Sequence, residues 1–315
     1  MTPDMASALH AFDKTIIFYP SFRRAFSQIQ NAIENTQTLG RPVCALLSAP
    51  SGLGKSTLLN YFRTLHQPDD VREDGVYTRM PVIYCEVPAQ ATVKGLITNI
   101  LRMLINRTPG GTREKLTHQL VTCLITAGVK VIFLDEIQRL CVTAGENVRV
   151  DSLAWIVSLL NTLRIPIILS GTEECINIRD NNRAFARRYP YLVELNNFHY
   201  SEGPDSEFYS MLQKLDSSMY QLTPLGLGAH LNDRAIASAL YVATNGNIGT
   251  LRLIISDALK YCLNRNGTMS LTANDFLIAT EYIDLPERLS ATNPFTLSYS
   301  ELKEIINEKD GDPDE

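Results

Sequence analysis

The stretch Leu46–Leu58, LLSAPSGLGKSTL, constrains this chain more than any other. An apolar run from Pro42 to Leu47 leads into it, a glycine-containing turn crosses it, and Lys55-Ser56-Thr57 opens a helical pattern reaching His66. Strand, loop, helix is the order that a phosphate cradle requires. Gly52 and Gly54 let the backbone curl until several N–H groups point inward, and the start of the following helix adds a positive dipole. On this reading Ala49, Pro50, Ser51, Gly52, Leu53, Gly54, Lys55, Ser56 and Thr57 surround a nucleoside triphosphate. Lys55 reaches its β/γ-phosphates and Ser56 holds Mg²⁺. One residue departs from the usual G-x-x-x-x-G-K-S/T pattern: Ala49 replaces the first glycine, which the turn tolerates if φ there stays negative.

Strands and helices alternate on either side of this loop. Before it, Phe22, Phe26, Ile29 and Ile33 form one stripe of an amphipathic helix, expected beside the nucleotide base. After it, Gln67–Arg79 is polar and reads as a surface loop, and Pro81–Val87 reads as a second buried strand. Helical patterns over Val93–Ile105 and Arg113–Ala127 are split by Pro109-Gly110-Gly111. Lys130–Glu136, KVIFLDE, is apolar until its two acids, which suits a central parallel strand with its acids at the carboxyl edge. Asp151–Leu163 is helical, Ile165–Leu169 is strand-like, and Tyr191–Leu195 is the last strand expected. Such alternation predicts a three-layer α/β sheet.

From about Gly203 to Ile283 the patterns are helical only, over Asp205–Met219, Asp233–Thr244, Ile248–Leu263 and Thr272–Tyr282. The expected division is therefore an N-terminal extension over 1–20, an α/β domain over 21–203, a helical domain over 204–284 and an acidic tail over 285–315. Pro286, Asn293-Pro294-Phe295 and the acidic end predict a loosely ordered tail, a docking point for partners at most.

Charge narrows the function classes. The formal net charge is −5, yet Glu301–Glu315 carries seven acids against two bases, leaving 27 of each in the remainder. Any nucleic-acid contact must come from a focused basic lining rather than a basic coat. No apolar run reaches the roughly 18 residues that span a bilayer, and the first residues lack the pattern of a signal peptide, so a cytoplasmic address is expected. The six cysteines are scattered without C-x-x-C spacing and read as reduced, buried small hydrophobes.

Asp135 and Glu136 stand where phosphoryl transfer to water needs carboxylates, the first beside Mg²⁺ and the second polarising the attacking water. At the end of the next strand Ser170 or Thr172 could bond that water or cap the helix that follows; Thr172 is favoured. Arg179, Arg183 and Arg187 recur at four-residue spacing beside Arg188, so one helix here presents a basic face. That face either reaches a neighbouring subunit's phosphate, with Arg187 and Arg188 favoured, or is merely solvated.

Taken together, SAPSGLGKST, VIFLDE, SGT, ARRY and a helical GNIGTLR in this order resemble the AAA+ ATPases over about Ser21–Ile283. Within them, LDEIQRL and GNIG look most like the TnsC/TniB transposition regulators, including those of CRISPR-associated transposons. The resemblance implies a P-loop AAA+ domain with a parallel sheet, followed by a small all-helical lid. It implies an ATP- and Mg²⁺-dependent homo-oligomer, ring or filament, on double-stranded DNA without sequence preference. It also implies transposase subunits and a TniQ-like targeting protein as partners, with no membrane role. Lys94, Thr112, Arg113 and Lys115 are the DNA-facing candidates, each equally readable as solvated. Where many family members carry a lid arginine on the γ-phosphate, this chain has Gly249, and Arg252 is the nearest arginine. A helicase-loader or initiator-like AAA+ protein, of the IstB/DnaC kind, is one alternative; a nucleotide-gated switch without a DNA role is another.

Overall fold

The structure is a computed structural model that describes residues 3–66, 80–89, 92–105, 108–141, 146–203, 205–265, 269–283 and 286–310, without the side chains of 141, 146, 147 and 310. The surface loop expected over 67–79 lies outside the described residues. In chain order the elements begin with α1 (Pro3–Lys14), α2 (Pro20–Leu39), β1 (Ala45–Ser48), α3 (Lys55–His66) and β2 (Val82–Glu86). Then come α4 (Val93–Leu104), α5 (Arg113–Thr126), β3 (Val131–Asp135), α6 (Gln138–Cys141) and α7 (Glu146–Leu163). β4 (Ile167–Gly171), α8 (Glu174–Asp180), α9 (Arg183–Ala186) and β5 (Tyr191–Glu194) follow. α10 (Glu207–Leu222), α11 (Arg234–Thr244), α12 (Ile248–Asn264), α13 (Ala273–Tyr282) and α14 (Tyr299–Asp310) complete the described chain.

Two compact units result: Ser21–Leu195, and a second made of Met1–Pro20 with Asn196–Glu315. In the first, five parallel strands lie in the order β2-β3-β4-β1-β5. β1, β3 and β4 are buried along their whole length, as their Val/Ile/Leu-rich sequences require of strands covered on both faces. Cys44, Leu46, Ile132, Leu134, Ile167 and Leu169 point into a core shared with α4, α5 and α7. On the other face Phe26 of α2 stacks on Phe62 of α3 at 4.6 Å, and Phe62 meets Phe133 of β3 at 5.7 Å. The predicted αβα layering is observed. Because β4 lies between β3 and β1, three strand ends carrying polar residues come together at one carboxyl edge, where ligands of open α/β sheets bind.

The second unit is all-helical, with Phe208, Leu212, Tyr241, Ile254, Leu259 and Phe276 in its core. The Gly246-Asn247 pair is a structural turn. Asn245 ends α11 at φ 49°, Gly246 follows at φ 71°, and the Asn247 side chain accepts from Gly249 N and Thr250 N to cap α12. A Cβ on Gly246 would stand 2.3 Å from Phe198 O, so only glycine fits.

Helices stand at both ends of the described chain, and the expectation of a loosely ordered tail is corrected. Residues 3–14 form α1, which packs on α10 and α12 as part of the helical unit. Over 286–310 the tail is likewise ordered: α14 packs on α11 through buried Leu302 and Ile306, while Tyr299 and Lys303 both bond Glu202. An i, i+4 apolar pair suffices to dock a helix whose outer face is acidic. Positions 285 and 311–315 of the expected tail lie outside the described residues. Among the described residues no helix is long and apolar enough to cross a membrane. Cys44, Cys85, Cys175 and Cys262 are buried and Cys123 half-buried, all as free thiols.

Candidate functional site

The loop after β1 takes the shape its glycines allow. Gly52 and Gly54 stand at φ 82° and 84°, whereas Ala49 is not among the described non-glycine residues with positive φ. Alanine at this position is thus compatible with the turn. Phe22 of α2 lies against Gly54, 3.5 Å from where a Cβ would sit, so the aromatic stripe of α2 borders the loop. Lys55 opens α3 and is buried; its Nζ donates to Ala49 O at 2.6 Å and Pro50 O at 2.8 Å. Burial pushes its pKa down, against the pull of the Glu136 and Asp135 carboxylates. An ammonium held only by loop carbonyls is ready to exchange them for phosphate oxygens.

Asp135 ends β3 fully buried, with three neutral donors. Ser56 Oγ and Tyr84 Oη donate to its Oδ2 at 2.7 and 2.9 Å, and Glu136 N donates to Oδ1 at 3.0 Å. The structure therefore brings together the two residues read as the Mg²⁺ holders, Ser56 and Asp135. Tyr84 was not anticipated. It lies on β2, and nothing in VIYCE distinguishes a tyrosine aimed at the neighbouring strand's end from a packed one. Burial and the Asp135 charge push its phenol pKa upward, so it remains a donor.

Glu136 leaves the strand at φ 60°, a left-handed backbone that costs a non-glycine residue on the order of 1 kcal/mol. The turn it makes lets Ile137 N reach Ser170 O at 2.9 Å, tying the ends of β3 and β4. Its Oε2 accepts from Gln138 Nε2 at 2.7 Å and lies 3.4 Å from Arg139 Nη2. Arg139 Nη1 also donates to Glu86 Oε1 at 2.7 Å and Val87 O at 2.8 Å. At the end of β4, Ser170 Oγ is buried with no partner among the described residues, while Thr172 Oγ1 lies 3.5 Å from Glu174 Oε2.

Other candidates fall into different settings. The basic stretch is not one helix: α8 ends at Asp180 and α9 restarts at Arg183, where Asn182 caps it by accepting from Phe185 N at 3.1 Å. Four-residue spacing therefore does not align these arginines on one face. Arg179 pairs with Asp180, and Arg188 donates to Ala184 O and Asn161 Oδ1, both at 2.9 Å. Arg187, at the end of α9, is exposed. Arg252, the lid candidate for the nucleotide, has a guanidinium that is already engaged. Its guanidinium donates to Phe12 O, Asp13 O and Thr15 O within the helical unit and lies over the Phe12 ring, so that α12 holds the end of α1 and the residue after it. Among the DNA-facing candidates, Lys94 is exposed in the first turn of α4, Thr112 caps α5, Lys115 is exposed and Arg113 pairs with Asp151.

A sequence model of the bacterial TniB protein family matches residues 9–199, more than half of the chain and all of the α/β unit. The chain belongs to the TniB family. Comparison with curated proteins finds no match. Among solved structures, this TniB-family chain is similar to the Aeropyrum pernix ORC2 protein, described in ADPNP-ADP complexes: TM-score 0.58 and 13% identity, covering 87% of this chain and 71% of that one. Cdc6p from Pyrobaculum aerophilum superposes with TM-score 0.58 and 16% identity, over 94% and 82% of the two chains. The Aeropyrum pernix ORC1 protein in complex with DNA does so with TM-score 0.58 and 15% identity, over 95% and 85%. These likenesses support the fold of the TniB-family chain as an α/β P-loop type with a helical region after it.

Proposed function

We propose that this TniB-family protein is an Mg²⁺-dependent ATPase that assembles on duplex DNA and regulates transposition. The observation that carries the reading is the hydroxyl of Ser56 on the buried carboxylate of Asp135, next to Lys55 and the two positive-φ glycines. An unneutralised buried carboxylate and a hydroxyl in contact are a hard-oxygen donor set suited to Mg²⁺ with its water shell. When bound, the cation neutralises charge on the β- and γ-phosphates. Residues 49–57 cradle those phosphates, with Lys55 moving its ammonium from the carbonyls of Ala49 and Pro50 onto them. Glu136 accepts the proton of the attacking water, and Thr172 orients that water or the γ-phosphate from the intervening strand.

The exposed Arg187 is the arginine offered to a neighbouring subunit's nucleotide; Arg188 would first have to leave Asn161. Lys94 and Lys115 supply DNA phosphate contacts, joined by Thr112 and by Arg113 once it exchanges Asp151 for phosphate. An ORC1 neighbour described in complex with DNA supports the DNA reading. Family membership supports the role in transposition, with transposase subunits and a TniQ-like protein as partners.

Sedimentation and turnover test this together. Wild type should pellet with duplex DNA only when ATP is present, Lys55→Ala should lose ATP binding, and Glu136→Gln should bind ATP but turn it over slowly and stay on DNA. A chain that remains monomeric with saturating ATP and DNA overturns the proposal.

A further inference from the structure

The side-chain amide of Gln138 faces two strand ends at once. Its Nε2 donates to Glu136 Oε2 at 2.7 Å, and its Oε1 accepts from Thr172 N at 3.4 Å. A carboxylate only accepts and a backbone N–H only donates, so a single orientation of the amide satisfies both. A second, independent observation comes from Gly171. A Cβ at that position would stand 2.7 Å from Gln138 Oε1, 2.6 Å from Cys175 Sγ and 3.1 Å from Ile137 Cγ2. Gly171 has an ordinary φ, so glycine is required there by space and not by backbone conformation. The end of β4 is thus cut back where the amide lies.

We propose that Gln138 is a positioning residue that aims the Glu136 carboxylate and couples it to the end of β4. The inference deepens the ATPase reading above and rests on it. Glu136 hangs from a strained, left-handed residue at the end of β3, and its side chain has free torsions that the backbone does not fix. The 2.7 Å bond from Gln138 occupies Oε2, and Arg139, at 3.4 Å, lies farther from the same oxygen. Oε1 is left as the atom to take a proton. Because Oε1 of Gln138 holds the Thr172 amide, movement of Thr172 reaches the carboxylate through one side chain. Gln138 touches no reacting atom, so its removal should change how often Glu136 points correctly and leave nucleotide binding alone.

Gln138→Met keeps the length of the side chain and removes both hydrogen bonds. Its kcat should fall between about tenfold and a hundredfold, with KM and Kd for ATP within about twofold of wild type. In the free protein, hydrogen exchange at the Thr172 amide should quicken, a readout independent of turnover. In a Glu136→Gln background the same change should add less than about twofold, because the two residues act as a unit. If Gln138→Met does not fold, Gln138→Asn, one methylene short of both partners, carries the test. A kcat within twofold of wild type, or losses that multiply in the double variant, overturns the proposal. Normal turnover by Glu136→Gln instead overturns the underlying ATPase reading. Slow Glu136→Gln beside normal Gln138→Met overturns only the role of Gln138.

Discussion

The two most deeply buried carboxylates among the described residues, Asp275 in the helical unit and Asp135 in the α/β unit, are handled in opposite ways. Asp275 of the helical unit is 2% exposed and meets the Arg265 guanidinium at 2.9 and 3.3 Å, together with the hydroxyl and N–H of Thr272 in a capping box. Its charge is answered on the spot, and the product is a helix start locked to a loop. Asp135 of the α/β unit is 1% exposed, and all three of its hydrogen bonds come from neutral donors. Lys55, whose ammonium feels the Asp135 charge, spends its hydrogen bonds on loop carbonyls. The comparison separates a carboxylate completed by the fold from one whose charge the fold leaves for something else.

The comparison can be broken or sharpened in four ways. The largest effect belongs to Asp135→Asn, which should abolish Mg²⁺-dependent turnover while moving Tm by no more than about 3 °C, since only neutral donors lose their partner. A matching fall in stability would make Asp135 another Asp275. Asp275→Asn should do the reverse. Denaturant unfolding should show a loss of about 3 kcal/mol, the cost of stranding a partly buried guanidinium, with Mg²⁺ affinity unchanged. Third, Tyr84→Phe should raise the Mg²⁺ concentration needed for ATP binding by about tenfold, read by titration with a fluorescent nucleotide, because Asp135 loses one of the donors that orient it.

The smallest effect concerns Glu202, whose partners again lie within the helical unit. Hydrogen bonds from Tyr299 and then Lys303 hold its carboxyl down to about 2. Its folded value lies below its unfolded one, so the stability it lends is full above the ordinary value of 4.5 and is lost as pH falls toward 2. Glu202→Gln should flatten that part of the stability curve, by no more than about 1 kcal/mol for so exposed a group.

Much of the α/β unit was legible in the sequence. All five strands were expected within a few residues of their observed spans, because parallel strands buried on both faces read as unbroken apolar runs. The meeting of Ser56 with Asp135 was legible too, since a motif with fixed spacing states its own geometry. What could not be read were partners set by strand order. Tyr84 meets Asp135, and Gln138 meets Thr172, only because β2 and β4 flank β3. Arginine spacing misled where Asn181-Asn182 interrupts the helix, an Asn pair whose capping preference outweighs continuation. α14 was hidden by its charge, its two anchoring residues being few among acids.

The clasp of Arg252 on the carbonyls of Phe12, Asp13 and Thr15 spans up to 240 positions of chain. On a ribosome, α1 emerges long before the arginine that completes it, and the whole α/β unit is synthesised in between. The carbonyls of Phe12, Asp13 and Thr15 therefore gain this guanidinium only once α12 has been made.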